Sequence, residues 1–150
     1  MVFIEASVML AVAGLAIRYI PFKRYIERIR TTSGESQPGA NIVPPDLSDH
    51  QKRQIALITR EIARAAENVP WNSVCLPQAI AAKYMLNRRG IPSTLYLGVA
   101  TGDALEKIRK ADSHSESQDA MAAHAWLKTG DRFITGRAGH EQFTVVSCFS

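Results

Sequence analysis

The order of helical and strand patterns along the chain predicts an α+β domain in which N-terminal helices pack on an antiparallel β-sheet. Apolar residues recur at helical spacing in the first half of the chain. After Pro92 the pattern changes to short runs that alternate or are rich in β-branched residues, as strands are. Helices followed by strands are typical of this class. At 150 residues, the chain is long enough to bury a core without disulfides or metals.

The first predicted element is a mostly apolar helix over residues 3–20. It ends before Pro21, because the residue preceding a proline is pushed out of the helical region. The apolar run between Glu5 and Arg18 is shorter than the ~20 residues that cross a bilayer, and no basic stretch precedes it. We therefore expect a docked helix, with a membrane-surface anchor as the alternative, rather than a membrane span or a signal peptide. A short basic amphipathic segment, 22–29, follows.

A stretch rich in Ser, Gly, Pro and Thr separates this N-terminal part from the rest of the chain. Its sequence, TTSGESQPGANIVPPD (residues 31–46), has the composition of a flexible linker. The chain is therefore expected to consist of an N-terminal helical segment (residues 1–30), a flexible linker (31–47) and a core (48–150).

Two further helices are predicted in the core. In the first, Ser48 and Gln51 form the pattern of a capping box, and isoleucines then recur at helical spacing. The second covers about residues 73–89, with Gly90 as its C-cap. The spacing of its apolar side chains predicts Tyr84 in the core.

Lys83 lies elsewhere around that second helix and is expected among its solvated residues. Four strands follow, separated by a polar and charged region (101–120) with a short helix predicted at 103–110. The strands are predicted at 93–100, 123–128, 132–136 and 142–149.

Composition excludes several classes of function. The net charge of +4 is spread over several segments with few aromatic residues, and no nucleic-acid-binding motif is present, so no nucleic-acid partner is expected. Cys75 and Cys148 would make at most one bridge, which is no disulfide framework, and a reducing, cytoplasmic setting is the simpler interpretation. No metal-ligand spacing, Walker loop or dinucleotide fingerprint is present, so neither a metal nor a cofactor is expected.

Cys75 lies where the last predicted helix begins. A thiol attacks as a thiolate, and the unpaired N–H groups and macrodipole of a helix N-terminus lower a thiol pKa. Cysteine is also among the most buried residue types and often only packs. His124 begins a later strand, and a strand that returns beside the helix would form the thiol–imidazole pair that cysteine nucleophiles use. A histidine flanked by alanines is frequently structural, so both interpretations stay open.

Several short motifs, in order along the chain, resemble those of one enzyme family. They are Pro70-Trp71, Cys75-Leu76-Pro77-Gln78-Ala79, Arg89-Gly90-Ile91-Pro92, Gly98-Val99 and His124-Ala125-Trp126, together with the apolar first helix that ends in Pro21-Phe22. This combination resembles the transglutaminase-like cysteine peptidase that removes the leader peptide in lasso peptide biosynthesis, the peptidase half of the B protein. The likeness covers nearly the whole chain.

The resemblance implies a papain-like, transglutaminase-like cysteine peptidase core over residues 48–150. In it, Cys75 attacks a peptide carbonyl, and His124 first holds the thiolate and then protonates the leaving amine. The Cys75 N–H and a second donor, Trp71 or Asn72, would bind the oxyanion. The implied substrate is the precursor peptide with its leader. The implied partners are a small leader-binding recognition protein and a macrolactam-forming cyclase that uses ATP.

One residue of the family pattern is missing. The family usually adds an aspartate about a dozen residues after the histidine, to orient the imidazole, but the residue twelve positions after His124 is Gly136. Asp131, Glu141, Gln142 and a backbone carbonyl are the remaining candidates for this orienting group.

The predicted hairpin leads to the same position. With residues 130–131 as a two-residue turn, Lys128 pairs with Phe133 and His124 faces Arg137. A strand rises about 3.3 Å per residue, so a carboxylate in the turn would stand far from the imidazole.

Two other functions are compatible with these residues. A non-catalytic scaffold of the same fold would bind the leader peptide or the cyclase, and the missing carboxylate favours this alternative. Transglutaminase-like folds also allow acyl transfer to an amine instead of water.

Overall fold

The computed structural model describes residues 1–19, 35–36, 46–68, 75–100, 102, 106 and 123–150. The described helices are α1 (Val2–Tyr19), α2 (Asp49–Asn68) and α3 (Cys75–Asn87), with a short 3-10 helix at His140–Gln142. The described strands are β1 (Glu35–Ser36), β2 (Thr94–Val99), β3 (Ala123–Thr129), β4 (Arg132–Thr135) and β5 (Thr144–Phe149). The predicted segment 22–29 lies outside the described residues, as does the helix predicted at 103–110 apart from Glu106.

The described strands form one sheet in the order β1-β5-β2-β3-β4, and every neighbouring pair is antiparallel. The helices pack against this sheet, which confirms the predicted α+β class. In the β3–β4 hairpin, Lys128 pairs with Phe133 beside a two-residue turn, as predicted.

A β-bulge interrupts this hairpin on the far side from the turn. After the bulge, Leu127 pairs with Thr135, which is the last residue of β4. The register is therefore shifted by one residue relative to a regular hairpin. The prediction that His124 faces Arg137 is wrong for this reason. The backbone of Gly136 lies directly against the backbone of Ala125 and Trp126 on β3.

Both predicted helix caps are present. The N–H of Gln51 donates to Ser48 Oγ at 3.2 Å, and the N–H of Ser48 donates to Gln51 Oε1 at 3.0 Å, which is a capping box. At the end of α3, Gly90 has a φ of 62°, and its N–H and that of the next residue donate to the carbonyls of Asn87 and Leu86. This Schellman motif ends α3 and turns the chain toward β2.

Helix α3 lies at the centre of the core, because it contacts α1 and α2 as well as β2, β3 and β4. Its fully buried alanines, including Ala79 and Ala82, let these elements approach closely. Leu10 of α1 belongs to the same buried cluster as Leu127 and Phe149 of the sheet. Helix α1 thus shares its core with the sheet, while the boundaries at 1–30, 31–47 and 48–150 stay a prediction.

Two predictions for α3 are wrong. Lys83, expected to be solvated, is only 6% exposed, and Tyr84, expected in the core, is 52% exposed. The spacing rule assumes one buried helix face, whereas α3 is covered on several sides. Lys83 Nζ donates to the carbonyl oxygens of Ser93 at 2.9 Å and Phe149 at 3.3 Å, and burial lowers the pKa of Lys83 to about 8.

Helix α1 carries an apolar stripe on its exposed side. The stripe, called here the α1 stripe, consists of Ile4 (66% exposed), Val8 (48%), Val12 (54%), Leu15 (55%) and Tyr19 (77%). These positions recur at about one turn of helix, so they lie on one face. Among the described residues, none of the helices combines the length and hydropathy needed to cross a bilayer.

The burial of Lys83 predicts a pH dependence of stability. Its pKa is about 8 in the folded chain and ~10.4 when unfolded, so between these values the unfolded chain binds more protons and stability rises with pH. Lys83→Met removes this contribution. Relative to Lys83→Met, the wild type should gain on the order of 2 kcal/mol in its free energy of unfolding from pH 8 to pH 10.4, measured by urea denaturation.

The exposed Lys52, whose side chain is 56% exposed, supplies the matched control. Lys52→Met should leave the slope of stability against pH as it is in the wild type. If stability changed equally with pH in the wild type and in Lys83→Met, the lowered pKa of Lys83 would be contradicted.

Candidate active site

The fold brings Cys75 and His124 together, as the sequence predicts. Cys75 is half-buried at the start of α3, and the N–H of Ala125 on β3 donates to its Sγ at 3.4 Å. The His124 side chain also lies near enough to the Cys75 thiol to shift its pKa through a hydrogen-bond interaction, and the thiol shifts the pKa of His124 in turn. Because α3 packs directly on β3, the thiol and the imidazole meet across the contact between a helix end and a strand.

The imidazole of His124 has partners on its other edge and on its faces. Its Nε2 lies 2.9 Å from the carbonyl oxygen of Gly136. The ring packs against Trp126 and Phe143, with centroids 5.8 and 5.0 Å away. Since a carbonyl oxygen can only accept, Nε2 carries a proton, and Nδ1 is the nitrogen left for the thiol.

The two side chains shift each other's pKa in opposite directions. Burial raises the pKa of the Cys75 thiol, but the hydrogen bonds from His124, Ala125 and Leu76, with the charge of His124, outweigh burial and lower it overall. The pKa of His124 is raised by its hydrogen bond to Cys75 and, against burial, by the Gly136 carbonyl and the charge of Cys75. Both shifts favour a thiolate beside an imidazolium.

A cavity of about 320 Å³ opens beside the thiol. Most of its lining is apolar and comes from α3 and the sheet, and includes Leu76, Leu97, Val99, Ala123 and Val146 together with Cys75 and His124. A second cavity of about 820 Å³ lies on the other side of the hairpin, where Gln78, Thr135 and Gly136 are among its lining residues. The smaller cavity therefore leaves open space directly beside the thiol–imidazole pair.

In the described part of the chain, none of the other candidates for the orienting group, Asp131, Glu141 and Gln142, forms a hydrogen bond with His124. Asp131 lies in the hairpin turn, at the opposite end of β3, and Glu141 is 2.9 Å from the Nδ1 of His140. The predicted oxyanion donors Trp71 and Asn72 lie outside the described residues.

Some contacts in the site carry no sequence signal. The Ala125 N–H and the ring of Phe143 both contact the pair, and nothing in their sequence context predicts it. For Gly98, a signal exists in hindsight, because a Cβ there would lie 2.9 Å from the Trp126 ring and from Phe143. Gly98 on β2 pairs with His124 on β3, and the Trp126 ring of β3 occupies the space above Gly98. A glycine at this position therefore indicates that a large ring from the neighbouring strand packs over it.

Cys148 is buried in β5 and forms no disulfide bond with Cys75. Within the described part of the chain, no group of three or more His, Cys, Asp or Glu side chains is arranged to hold a metal ion.

Comparison with known families agrees with this geometry. A family model described as the transglutaminase-like superfamily matches residues 16–148, which include α2, α3 and the sheet. The chain belongs to the transglutaminase-like superfamily. Members of this superfamily typically have cysteine-protease-type activity. No curated protein and no solved structure gave a significant match.

In this transglutaminase-like protein, the pKa shifts predict how the thiol reacts with pH. With Cys148→Ala as background, the rate of Cys75 alkylation by iodoacetamide should have its inflection below the ~8.5 of an ordinary thiol. His124→Gln removes the imidazole and its charge but leaves burial and the hydrogen bonds from the Ala125 and Leu76 N–H groups, so the inflection should move to a higher pH than in the wild type. Mass spectrometry of the alkylated protein measures both rates.

His140→Gln is the matched control, because His140 touches Trp126 but its Nδ1 is bound to the Arg137 carbonyl. This variant should keep the wild-type inflection. An inflection that is the same in the wild type and in His124→Gln would show that the histidine does not act on the thiol.

Proposed function

We propose that this protein is a cysteine endopeptidase that removes the leader peptide from a ribosomally made lasso peptide precursor. The observation that carries the proposal is the contact between Cys75 at the start of α3 and His124 on β3, with their opposed pKa shifts. Superfamily membership supports the peptidase chemistry. The ordered motifs from Pro70 to Trp126 support the lasso substrate by resemblance.

The proposed reaction uses the pair twice. The Cys75 thiolate attacks the scissile carbonyl carbon, and the tetrahedral oxyanion that forms accepts a hydrogen bond from the Cys75 N–H at the helix N-terminus. The His124 imidazolium then gives its proton to the leaving amine, and a thioester remains on Cys75. Water, deprotonated by the neutral imidazole, attacks the thioester and releases the leader as a free carboxylic acid.

Burial explains why the pair suits this chemistry. Half-buried charges interact more strongly than solvated ones, so the imidazolium can hold the thiolate at neutral pH even though burial alone would favour the thiol. The apolar cavity next to Cys75 suits an uncharged side chain of the peptide close to the scissile bond.

The direct test is cleavage of the precursor. Purified protein, the leader-binding protein and the precursor should release free leader, detected by mass spectrometry, and Cys75→Ala should abolish it. His124→Ala should lower kcat by about 100-fold or more, because it removes the base and the acid. Cys148→Ala, which changes the other thiol, should leave cleavage intact.

Persistent cleavage by Cys75→Ala would contradict the proposal.

The alternative function is a non-catalytic scaffold, for which the missing carboxylate is the main argument. The Gly136 carbonyl already gives His124 a hydrogen-bond partner, which weakens that argument. A scaffold predicts binding of precursor without cleavage and an ordinary thiol pKa. Product masses separate hydrolysis from acyl transfer to an amine.

We further propose the partners that the resemblance implies: the precursor, a small leader-binding protein and a macrolactam-forming cyclase, all in the cytoplasm. The α1 stripe is the described surface that best suits the leader-binding protein, because its large apolar side chains point away from the core. Residues on the opposite side of α1, such as Leu10, are buried against the rest of the protein, so docking at the stripe would leave the fold undisturbed.

Charges in the α1 stripe should disrupt this contact. Val8→Glu with Val12→Glu should weaken binding of the leader-binding protein at least about tenfold, because an unpaired charge in an apolar contact costs more than ~1.4 kcal/mol. Calorimetry measures the affinity. Ala56→Glu, on an exposed position of α2, is the control and should bind normally. Equal affinities of the two variants would place the partner elsewhere.

A further inference from the structure

We propose that the main-chain carbonyl of Gly136 orients His124, in the role that a carboxylate has in the related peptidases. The inference rests on the proposed function, since it concerns the same pair, and it makes Gly136 a positioning residue. The juxtaposition that carries it is the 2.9 Å contact between His124 Nε2 and the Gly136 oxygen, on the edge of the ring away from the thiol.

This carbonyl fixes both the tautomer and the direction of the ring. It accepts only, so Nε2 stays protonated and Nδ1 stays available to Cys75. The rings of Trp126 and Phe143 restrict rotation of the imidazole about its own bond. A ring held at Nε2 and packed on its faces has one way to present Nδ1, which is toward the sulfur.

Only glycine fits at this position. The φ of Gly136 is 70°, in the region that residues with a side chain rarely adopt. A Cβ at Gly136 would also lie 2.4 Å from the carbonyl oxygen of Ala125 and 2.9 Å from the Cα of Trp126, both of which are backbone atoms of β3. The close approach of the two backbones, which brings the carbonyl to the ring, therefore excludes every side chain, including the aspartate that the family pattern places here.

The test compares two glycines with the same backbone strain. Gly136→Ala forces the backbone away from β3, whereas Gly139, with a φ of 74°, has no atom closer than 3.9 Å to an added Cβ. In the Cys148→Ala background, Gly136→Ala should raise the pH inflection of Cys75 alkylation by about one unit, which is a tenfold lower rate at pH 6.5. Gly139→Ala should keep the wild-type profile. Equal profiles for the two variants would overturn the proposal.

A second measurement needs no change at Gly136. In Cys75→Ala protein labelled with ¹⁵N-histidine, at a pH where the imidazole is neutral, the ring nitrogens of His124 should report a single Nε2–H tautomer. The His124→Gln spectrum assigns the signal. An Nδ1–H tautomer, or exchange between two tautomers, would overturn the proposal even if Gly136→Ala fails to fold, which circular dichroism would reveal.

These readouts separate the inference from the proposed function. Both the alkylation profile and the tautomer are measured without peptide substrate. A protein that has the predicted profile and tautomer but leaves precursors intact would contradict the peptidase assignment and support the role of Gly136. A protein that cleaves its precursor while His124 exchanges between tautomers would support the peptidase assignment and contradict the role of Gly136.

Discussion

The candidate site depends on the contact between the first residue of α3 and β3. The hydrogen bond from the Ala125 N–H to Cys75 Sγ joins the two elements at the point where the reacting groups meet. Neither element can shift alone, because α3 is packed against α1 and α2 and β3 lies between β2 and β4. A displacement by one helical turn would move the thiol by about 5.4 Å, far outside hydrogen-bond reach. The rigid core, rather than a mobile loop, therefore sets the distance between sulfur and imidazole.

The same packing disfavours the charged forms of Cys75 and His124, and neighbouring main-chain groups offset this effect. Burial alone would protonate Cys75 and deprotonate His124, and so would favour the neutral pair. Main-chain groups offset this: the N–H groups of Ala125 and Leu76 support the thiolate, and the Gly136 carbonyl supports the imidazolium. These groups belong to regular elements or their ends, so their orientation does not change when charge develops. Among the described residues, Lys83 has no partner of opposite charge, and burial lowers its pKa to about 8.

Sequence patterns predict local features well and multi-sided burial poorly. The Ser48 cap, the Gly90 C-cap and the hairpin turn depend on a few neighbouring residues, and all three were predicted correctly. Lys83 and Tyr84 were predicted wrongly because α3 is contacted by helices and strands on several sides, and these contacts decide which of its side chains are buried. The pairing of Cys75 with His124 could be proposed from their places at a helix start and a strand start. Phe143 could not, since its contact with the ring follows only from how β5 enters the sheet.

The family spacing predicts the correct position for the group that orients His124, which is Gly136, but it predicts a side-chain carboxylate there and not a main-chain carbonyl. The bulge in the β3–β4 hairpin is part of the reason. Without the bulge, the regular register would continue from Lys128 and Phe133 and place Arg137 opposite His124. With the extra residue on β4, the continued register places Gly136 opposite Trp126 instead of Ala125, and Gly136 lies so close to the backbone of both residues that no Cβ fits. The orienting atom then has to be a main-chain oxygen, because the position that is near enough to the ring is the position that cannot carry a side chain. A carbonyl lacks the full charge of a carboxylate, so it stabilises an imidazolium less. The hydrogen bond to Cys75 is the largest influence on the pKa of His124, and it acts together with the Gly136 carbonyl to favour the charged ring.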